Sequence, residues 1–140
     1  MSTLERAVAI AAKAHAGQVD KAGEPYILHP LRVMLRCTNH DAKIAGVLHD
    51  VVEDTPWTFK RLRAEGFSKA VIDGVRGVTK RKGEKYDAFV RRAMEHPVSR
   101  EVKRADLIDN MDMTRLKSVT AKDKKRLERY RKALAMIDGN

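Results

Sequence analysis

Apolar residues recur at three- and four-residue spacing along most of the chain, which is the period of an α-helix. Leu4, Ala7, Val8, Ala11, Ala12 and His15 mark one face of a first helix that Gly17 stops. Ser2 and Glu5, three apart, have the spacing of a capping box at its start. A polar loop over 18–26, punctuated by Gly23 and Pro25, leads to a second helix. Pro30 suits the first turn of that helix, which carries Leu31, Val33, Met34 and Leu35 to about Thr38 and leaves His29 at its N-terminus. Asp41 is placed to cap a third, buried helix through Ile44, Val47, Leu48 and Val51. It runs on through Glu53 and Asp54 until Thr55, the residue before Pro56, leaves helical geometry. Thr58 and Ser68 each start a shorter helix, the first ending at Gly66 and the second, with Val71, Ile72 and Val75, interrupted by Gly74 and Gly77. A basic loop over 79–85, expected to be mobile, precedes a helix from Glu84 to Glu95 that Pro97 closes. Another spans about Ser99 to Asp112, and the last runs from Thr120, boxed with Asp123, to Ile137. Strand-period alternation and internal repeats are missing, so the expected fold is all-α, a compact bundle of about seven or eight helices in a single domain, 1–140.

Composition narrows the partners. The chain has 140 residues, 43% hydrophobic and 34% charged, the balance of a soluble globular domain. Aromatics make up 5%, too few for a base-stacking nucleic-acid platform. A net charge of +10 calls for an anionic partner, either a phosphorylated small molecule or nucleic acid. The single Cys37 fits a reducing compartment. The first residues include Glu5 and Arg6 and no long apolar run, so neither a leader nor a membrane span is expected, and the cytoplasm is the expected location.

The chemistry concentrates where ionisable residues interrupt apolar helices. Positions four apart lie about 40° from one another round a helix. Glu53 would then fall below His49, and Asp54 below Asp50. Four ionisable groups on one stripe of a buried helix are costly unless a cation pairs with them. His29, His49, Asp50 and either Asp106 or Asp109 make a mixed nitrogen and oxygen set suited to Mn²⁺, Fe²⁺ or Zn²⁺. Such an ion polarises a phosphoryl group and acidifies water, and Glu53 or Asp54 could take the water's proton. Lys80, Arg81, Lys82 and Lys85 cluster in the basic loop as a candidate phosphate-facing rim. Two other classes compete: a nucleic-acid module built on the basic last helix, and a catalytically silent metal-containing regulator. The first lacks interleaved aromatics. The second would not need the Glu53-Asp54 pair.

With these residues in view, the sequence resembles the HD-superfamily phosphohydrolases, and within them the hydrolase domains of RelA/SpoT enzymes and the small alarmone hydrolases. The matching blocks are Ala-Gly-Glu-Pro-Tyr-Ile-Leu-His-Pro at 22–30, Gly-Val-Leu-His-Asp-Val-Val-Glu-Asp-Thr at 46–55, Gly-Val-Thr at 77–79 and Val-Lys-Arg-Ala-Asp-Leu-Ile-Asp-Asn at 102–110. The resemblance runs from about Ala7 to Leu116. It implies a metal, usually Mn²⁺, on His29, His49, Asp50 and Asp106, which selects Asp106 over Asp109. It implies that Glu53 and Asp54 orient or activate water, that Asn110 contacts nucleotide and that Lys21 holds phosphate. The implied reaction removes the 3′-pyrophosphate from guanosine tetra- or pentaphosphate. Four positions depart from the family pattern. Asp20 stands for an Arg that lies against the purine, Leu107 and Asp109 replace Arg and His in Ala-Asp-Arg-Leu-His-Asn, and Asp112 replaces a basic residue. The base is therefore open among a guanosine alarmone, an adenosine alarmone, NADPH and another nucleoside phosphate. An oligomer is compatible with the sequence.

Overall fold

The computed structural model describes residues 3–139, and among them every regular element is a helix, with one isolated β-bridge between Val19 and Pro25. The helices are α1 (Leu4–Ala14), α2 (Leu28–Arg36), α3 (His40–Leu48), α4 (Val51–Asp54), α5 (Phe59–Ala64), α6 (Lys69–Gly77), α7 (Tyr86–Met94), α8 (Pro97–Asn110) and α9 (Ala121–Asp138). The one-turn α4 continues the expected third helix after a break. No helix among the described residues is long and apolar enough to cross a membrane.

Side-chain caps set most boundaries. Thr58 accepts from the Arg61 amide, Ser68 from that of Val71, and Thr120 and Asp123 close a complete capping box on α9. The expected box on α1 involves Ser2, which lies outside the described residues; Thr3 accepts from the Arg6 amide there. Asn39, not Asp41, caps α3 by accepting from the Ala42 amide at 3.1 Å. Asp41 sits one residue inside, where its carboxylate still meets the positive helix end. Pro97 opens α8 rather than closing α7, because proline fits a first turn that needs no amide donor, and the His96 ring accepts from the Val98 amide.

α3 lies at the centre, packed by α1, α2, α6 and α8. Its residues from Ile44 to Leu48 are all buried, so it has no polar stripe. Gly74 and Gly77 do not interrupt α6; they let α8 lie against it. A Cβ on Gly74 would come 2.4 Å from Val98 Cγ1, and one on Gly77 2.4 Å from Ser99 Cβ. A second apolar cluster, Val90, Leu107, Ala133 and Ile137, fastens α9 to α7 and α8.

The loop over 79–85 is clamped rather than free. Arg92 donates to both oxygens of Glu84 at 2.9 Å and to the carbonyls of Arg76 and Thr79 at 2.7 Å. The helix expected from Glu84 consequently starts later, at Tyr86.

α3 breaks at His49 and Asp50, where regular helix was expected. Adjacent helical positions point about 100° apart. A regular helix would therefore aim these two side chains in different directions. Asp50 instead adopts φ −102°, ψ −1°, and helical hydrogen bonding resumes with the Asp54 amide donating to the Asp50 carbonyl.

Two outcomes are expected. Gly77→Ala overpacks the α6–α8 contact and lowers unfolding stability by about 1–3 kcal/mol, read by urea denaturation. Hydrogen bonds from Arg92 hold the Glu84 carboxyl down from 4.5 to about 2. Its stabilising contribution is thus complete above pH 4.5 and is lost as pH falls toward 2. Glu84→Gln should lower Tm at neutral pH, and the gap to wild type should close through that acid window.

Candidate metal centre

Three separated stretches deliver five of the buried polar side chains. The first turn of α2 brings His29, the α3–α4 break brings His49 and Asp50, and α8 brings Asp106 and Asp109; all five are buried. His49 Nε2 lies 3.0 Å from Asp50 Oδ2 and 3.4 Å from Asp106 Oδ1. His29 Nε2 lies 3.0 Å from Asp106 Oδ1 and 3.9 Å from Asp50 Oδ2. The two rings meet edge to face with centroids 5.2 Å apart. His29, His49 and Asp50 offer ligand atoms within 4.8 Å of one another, and Asp106 Oδ1 lies against both rings.

Hydrogen bonds behind the rings decide what they offer at that point. His49 Nδ1 is 2.6 Å from the Gly46 carbonyl, which can only accept, so Nδ1 carries the proton. His29 Nδ1 is 2.7 Å from Asp109 Oδ2, and hydrogen bonds from His29 and Arg32 overcome burial to hold that carboxyl at about 2. An ionised carboxylate also only accepts, so His29 Nδ1 is the donor. Both Nε2 atoms are left facing carboxylate oxygens, and His49 Nε2 is buried with no hydrogen-bond partner. Two imidazole nitrogens turned toward two carboxylates, with Nδ1 protons fixed at the back, could hold a divalent cation.

Burial lowers the basicity of both rings, yet Asp106 and Asp109 bonded to His29, and the charge of Asp50 beside His49, raise both above the usual histidine value. The carboxylates respond in the opposite sense. Burial pushes Asp50 and Asp106 up, but the His49 charge for Asp50 and the Lys103 charge for Asp106 bring both below the usual range.

Several residues that support the centre were not singled out beforehand. Lys103 is buried and gives its ammonium to Asp106 Oδ2 at 3.2 Å, with the Phe89 ring centroid 4.5 Å away. Its position three before Asp106 on one helix, inside an apolar stripe, was the available signal. The Tyr26 hydroxyl donates to Asp50 Oδ2. Asp109 was weighed as a ligand; it stands behind His29 instead and accepts from Arg32 Nε at 2.8 Å. His15, on the buried face of α1, pairs with Gln18 Oε1 at 2.9 Å and packs beside Tyr26.

A cavity of about 450 Å³ opens onto this cluster. His29, Asp50 and Asp106 line its buried end, and Glu53 and Asp54 line it closer to solvent. Lys21 and Asn110 line it as well, Asn110 donating to Asp106 Oδ1 at 3.1 Å. Burial first, and then the neighbouring Asp50 charge, raise the carboxyls of Glu53 and Asp54. Lys80, Lys82 and Lys85 are exposed and do not line the cavity. Their loop reaches the site through its backbone, the Lys80 amide donating to Glu53 Oε1 at 3.1 Å. The cations on the wall besides Lys21 are Arg115 and Arg126, which follow α8 and lie on α9.

The family model described as "HD domain" matches residues 7–139 of this chain. The chain belongs to the HD-domain family. Among the relatives of this HD domain, a guanosine-3′,5′-bis(diphosphate) 3′-pyrophosphohydrolase of Aquifex aeolicus is 35% identical over 120 residues, 77% of this chain and 17% of that protein. A GTP pyrophosphokinase of Streptomyces coelicolor is 36% identical over 138 residues, 89% of this chain and 16% of its own length. The chain thus spans about a sixth of each of these two relatives. A solved structure described as a metazoan ortholog of SpoT that hydrolyses ppGpp superposes with a TM-score of 0.77 at 24% identity, covering 98% of this chain and 85% of that one, a likeness of fold.

Asp109 makes the HD centre testable without removing a ligand. Asp109→Ala should weaken divalent-metal binding by about 10–100-fold in titration calorimetry, while Asp109→Asn, which can still accept from His29, should weaken it less.

Proposed function

We propose that this HD domain is a metal-dependent nucleotide pyrophosphohydrolase that removes the 3′-pyrophosphate of a guanosine-tetraphosphate-like alarmone. The observation that carries the reading is the convergence of His29, His49, Asp50 and Asp106 at the end of a cavity whose wall carries Glu53 and Asp54. Two activities appear in the names of the relatives, a 3′-pyrophosphohydrolase and a pyrophosphokinase. A water-activating carboxylate beside a cation site is hydrolytic equipment, so hydrolysis is the activity assigned to this sixth of the longer proteins. A divalent ion held by the four side chains, Mn²⁺ by the family resemblance, with Fe²⁺ and Zn²⁺ equally compatible with the mixed donor set, would supply Lewis-acid polarisation of the phosphoryl group and acidify water.

The chain's own groups divide the remaining work. Glu53 takes the proton of the attacking water: its carboxylate faces the cavity, and the Lys80 amide fixes one oxygen and leaves the other for water. Asp54 supports the same position from the next residue. Asn110 and Lys21 contact the nucleotide and its phosphates. In the reaction, water's oxygen bonds to the phosphorus next to the 3′ oxygen and that P–O bond breaks. The nucleoside leaves as its 3′ alkoxide and takes a proton from solvent to become the 3′ hydroxyl, while pyrophosphate departs carrying the water's oxygen.

A hydrolysis screen with Mn²⁺ over guanosine and adenosine alarmones and NADPH, read by chromatography, decides the base. His49→Ala should abolish both metal binding and turnover. Glu53→Gln should keep the metal and lower kcat by about 10²–10⁴-fold; equal loss of metal and turnover in Glu53→Gln would refute the division of roles.

A further inference from the structure

Glu53, the carboxylate assigned to take the proton of water, is held from outside the cation cluster. Among the described residues that carboxylate has one hydrogen bond, from the Lys80 amide to Oε1 at 3.1 Å. Glu53 is exposed and its side chain is long, so without that bond the carboxylate would wander among rotamers. The direction of the Lys80 N–H therefore decides where the base points.

The carbonyl of the same peptide unit is gripped from the opposite end. Arg92 Nη2 donates to the Thr79 oxygen at 2.7 Å, and a trans peptide sends its C=O and N–H in opposite directions. One rigid plane thus lies between the Arg92 guanidinium and the Glu53 carboxylate. A charged donor on the carbonyl also polarises the unit and makes its amide the better donor. The guanidinium itself is fixed: Nε and Nη2 hold the two oxygens of Glu84 at 2.9 Å, and Nη1 holds the Arg76 carbonyl at 2.7 Å. Glu84 in turn accepts from the Arg81 amide at 3.1 Å, and Thr79 Oγ1 donates to the Val75 carbonyl at 2.7 Å, so the peptide is braced on both sides. Arg92 lies on α7 and lines a second cavity with Arg76 and Glu84, not the one that opens onto His29 and Asp106.

We propose that Arg92 is a positioning residue for hydrolysis, orienting the Glu53 carboxylate toward the attacking water through the Thr79–Lys80 peptide while touching neither substrate nor metal. This rests on the hydrolase reading above and adds a residue to it. A planar fork of donors suits a post that must hold a carboxylate and two carbonyls together.

The test uses the Mn²⁺-loaded chain and guanosine 3′,5′-bis(diphosphate). Arg92→Gln should lower kcat about 10- to 100-fold, with KM within about twofold of wild type and Mn²⁺ affinity by calorimetry unchanged. Added to Glu53→Gln, it should cost no more than about twofold further, because the group it acts through is already gone. An equal fold-loss in both backgrounds would mean a general structural role and overturn the assignment. Arg92→Lys keeps the charge beside Glu84 and guards against loss of the fold. It should hold a Tm nearer wild type and still lose kcat, since an ammonium has no fork to span Glu84 and the Thr79 carbonyl. Wild-type kcat in both variants would also overturn the assignment. Exchange of the Lys80 amide, followed by NMR, supplies a readout independent of turnover. Its protection should fall in Arg92→Gln and in Glu53→Ala, and no further in the double variant. Protection equal to wild type in Arg92→Gln would overturn the link even if hydrolysis is normal. A chain that hydrolyses no nucleotide yet loses Lys80 protection on Arg92→Gln would support the link and sink the hydrolase reading.

Discussion

The Gly46 carbonyl cannot give a proton, and that restriction governs the interior of this protein. It commits His49 Nδ1 to donating, so the lone pair of Nε2 must point at Asp50 and Asp106. Asp109 imposes the same tautomer on His29 from behind. The cluster can then be electrically quiet in two ways: an extra proton on each ring, or a doubly charged cation between the rings and the carboxylates. The two are equivalent in net charge, which is why metal binding at such a site releases protons and depends on pH. The break between α3 and α4 follows from the same requirement. Neighbouring residues can face one ion only if the helix yields between them, and the chain yields at Asp50.

Packing far from the centre holds this geometry. α8 supplies Asp106, Asp109, Lys103 and Asn110, so its position along α6 fixes where they arrive. That position is set by Gly74 against Val98 and Gly77 against Ser99, contacts so close that a methyl group on either glycine would displace the helix. Ser99 Oγ adds a bond to the Ala93 carbonyl at 2.6 Å, and Glu101 accepts from the Thr38 and Asn39 amides, tying α8 to the turn between α2 and α3. Burying Asp106 would be prohibitive alone. Lys103, stacked on Phe89, neutralises its outer oxygen and leaves Oδ1 for the centre.

Much of this was legible in the sequence because it depends on local spacing. The caps at Thr58, Ser68 and Thr120 are decided within four residues, and the His-Pro, His-Asp and Ala-Asp pairs stood out as ionisable groups on apolar helices. What escaped depends on contacts between distant segments. Gly74 and Gly77 read as helix breakers because nothing nearby shows that α8 needs their surface. The α3–α4 break was hidden since the apolar period of Val47, Leu48 and Val51 continues straight across it. The basic loop looked mobile because its restraint, Arg92, lies on the following helix. Arg115, unlike the clustered Lys80, Lys82 and Lys85, is a solitary residue whose place on the cavity wall no local pattern announces.

The positions that depart from the HD family pattern gain a physical sense once placed. On the sequence, Asp20, Leu107, Asp109 and Asp112 all removed positive charge from the region of the nucleotide. In the fold, Asp20 closes a tight loop with its own amides and Asp112 caps the turn after α8. Leu107 faces Val90, Ala133 and Ile137, so it fastens α9 and does not face the cavity. Asp109 is fully buried behind a ring that faces the centre and draws Arg32, Arg36 and Arg115 toward itself. A carboxylate in that place turns the histidine more firmly than a neutral acceptor would, since a charged acceptor makes the stronger hydrogen bond. It also gathers guanidinium groups that a histidine there would repel or ignore. Positive charge is present on the cavity wall all the same: Arg115, on the segment after α8, lines it with Asp109 Oδ1 3.9 Å away.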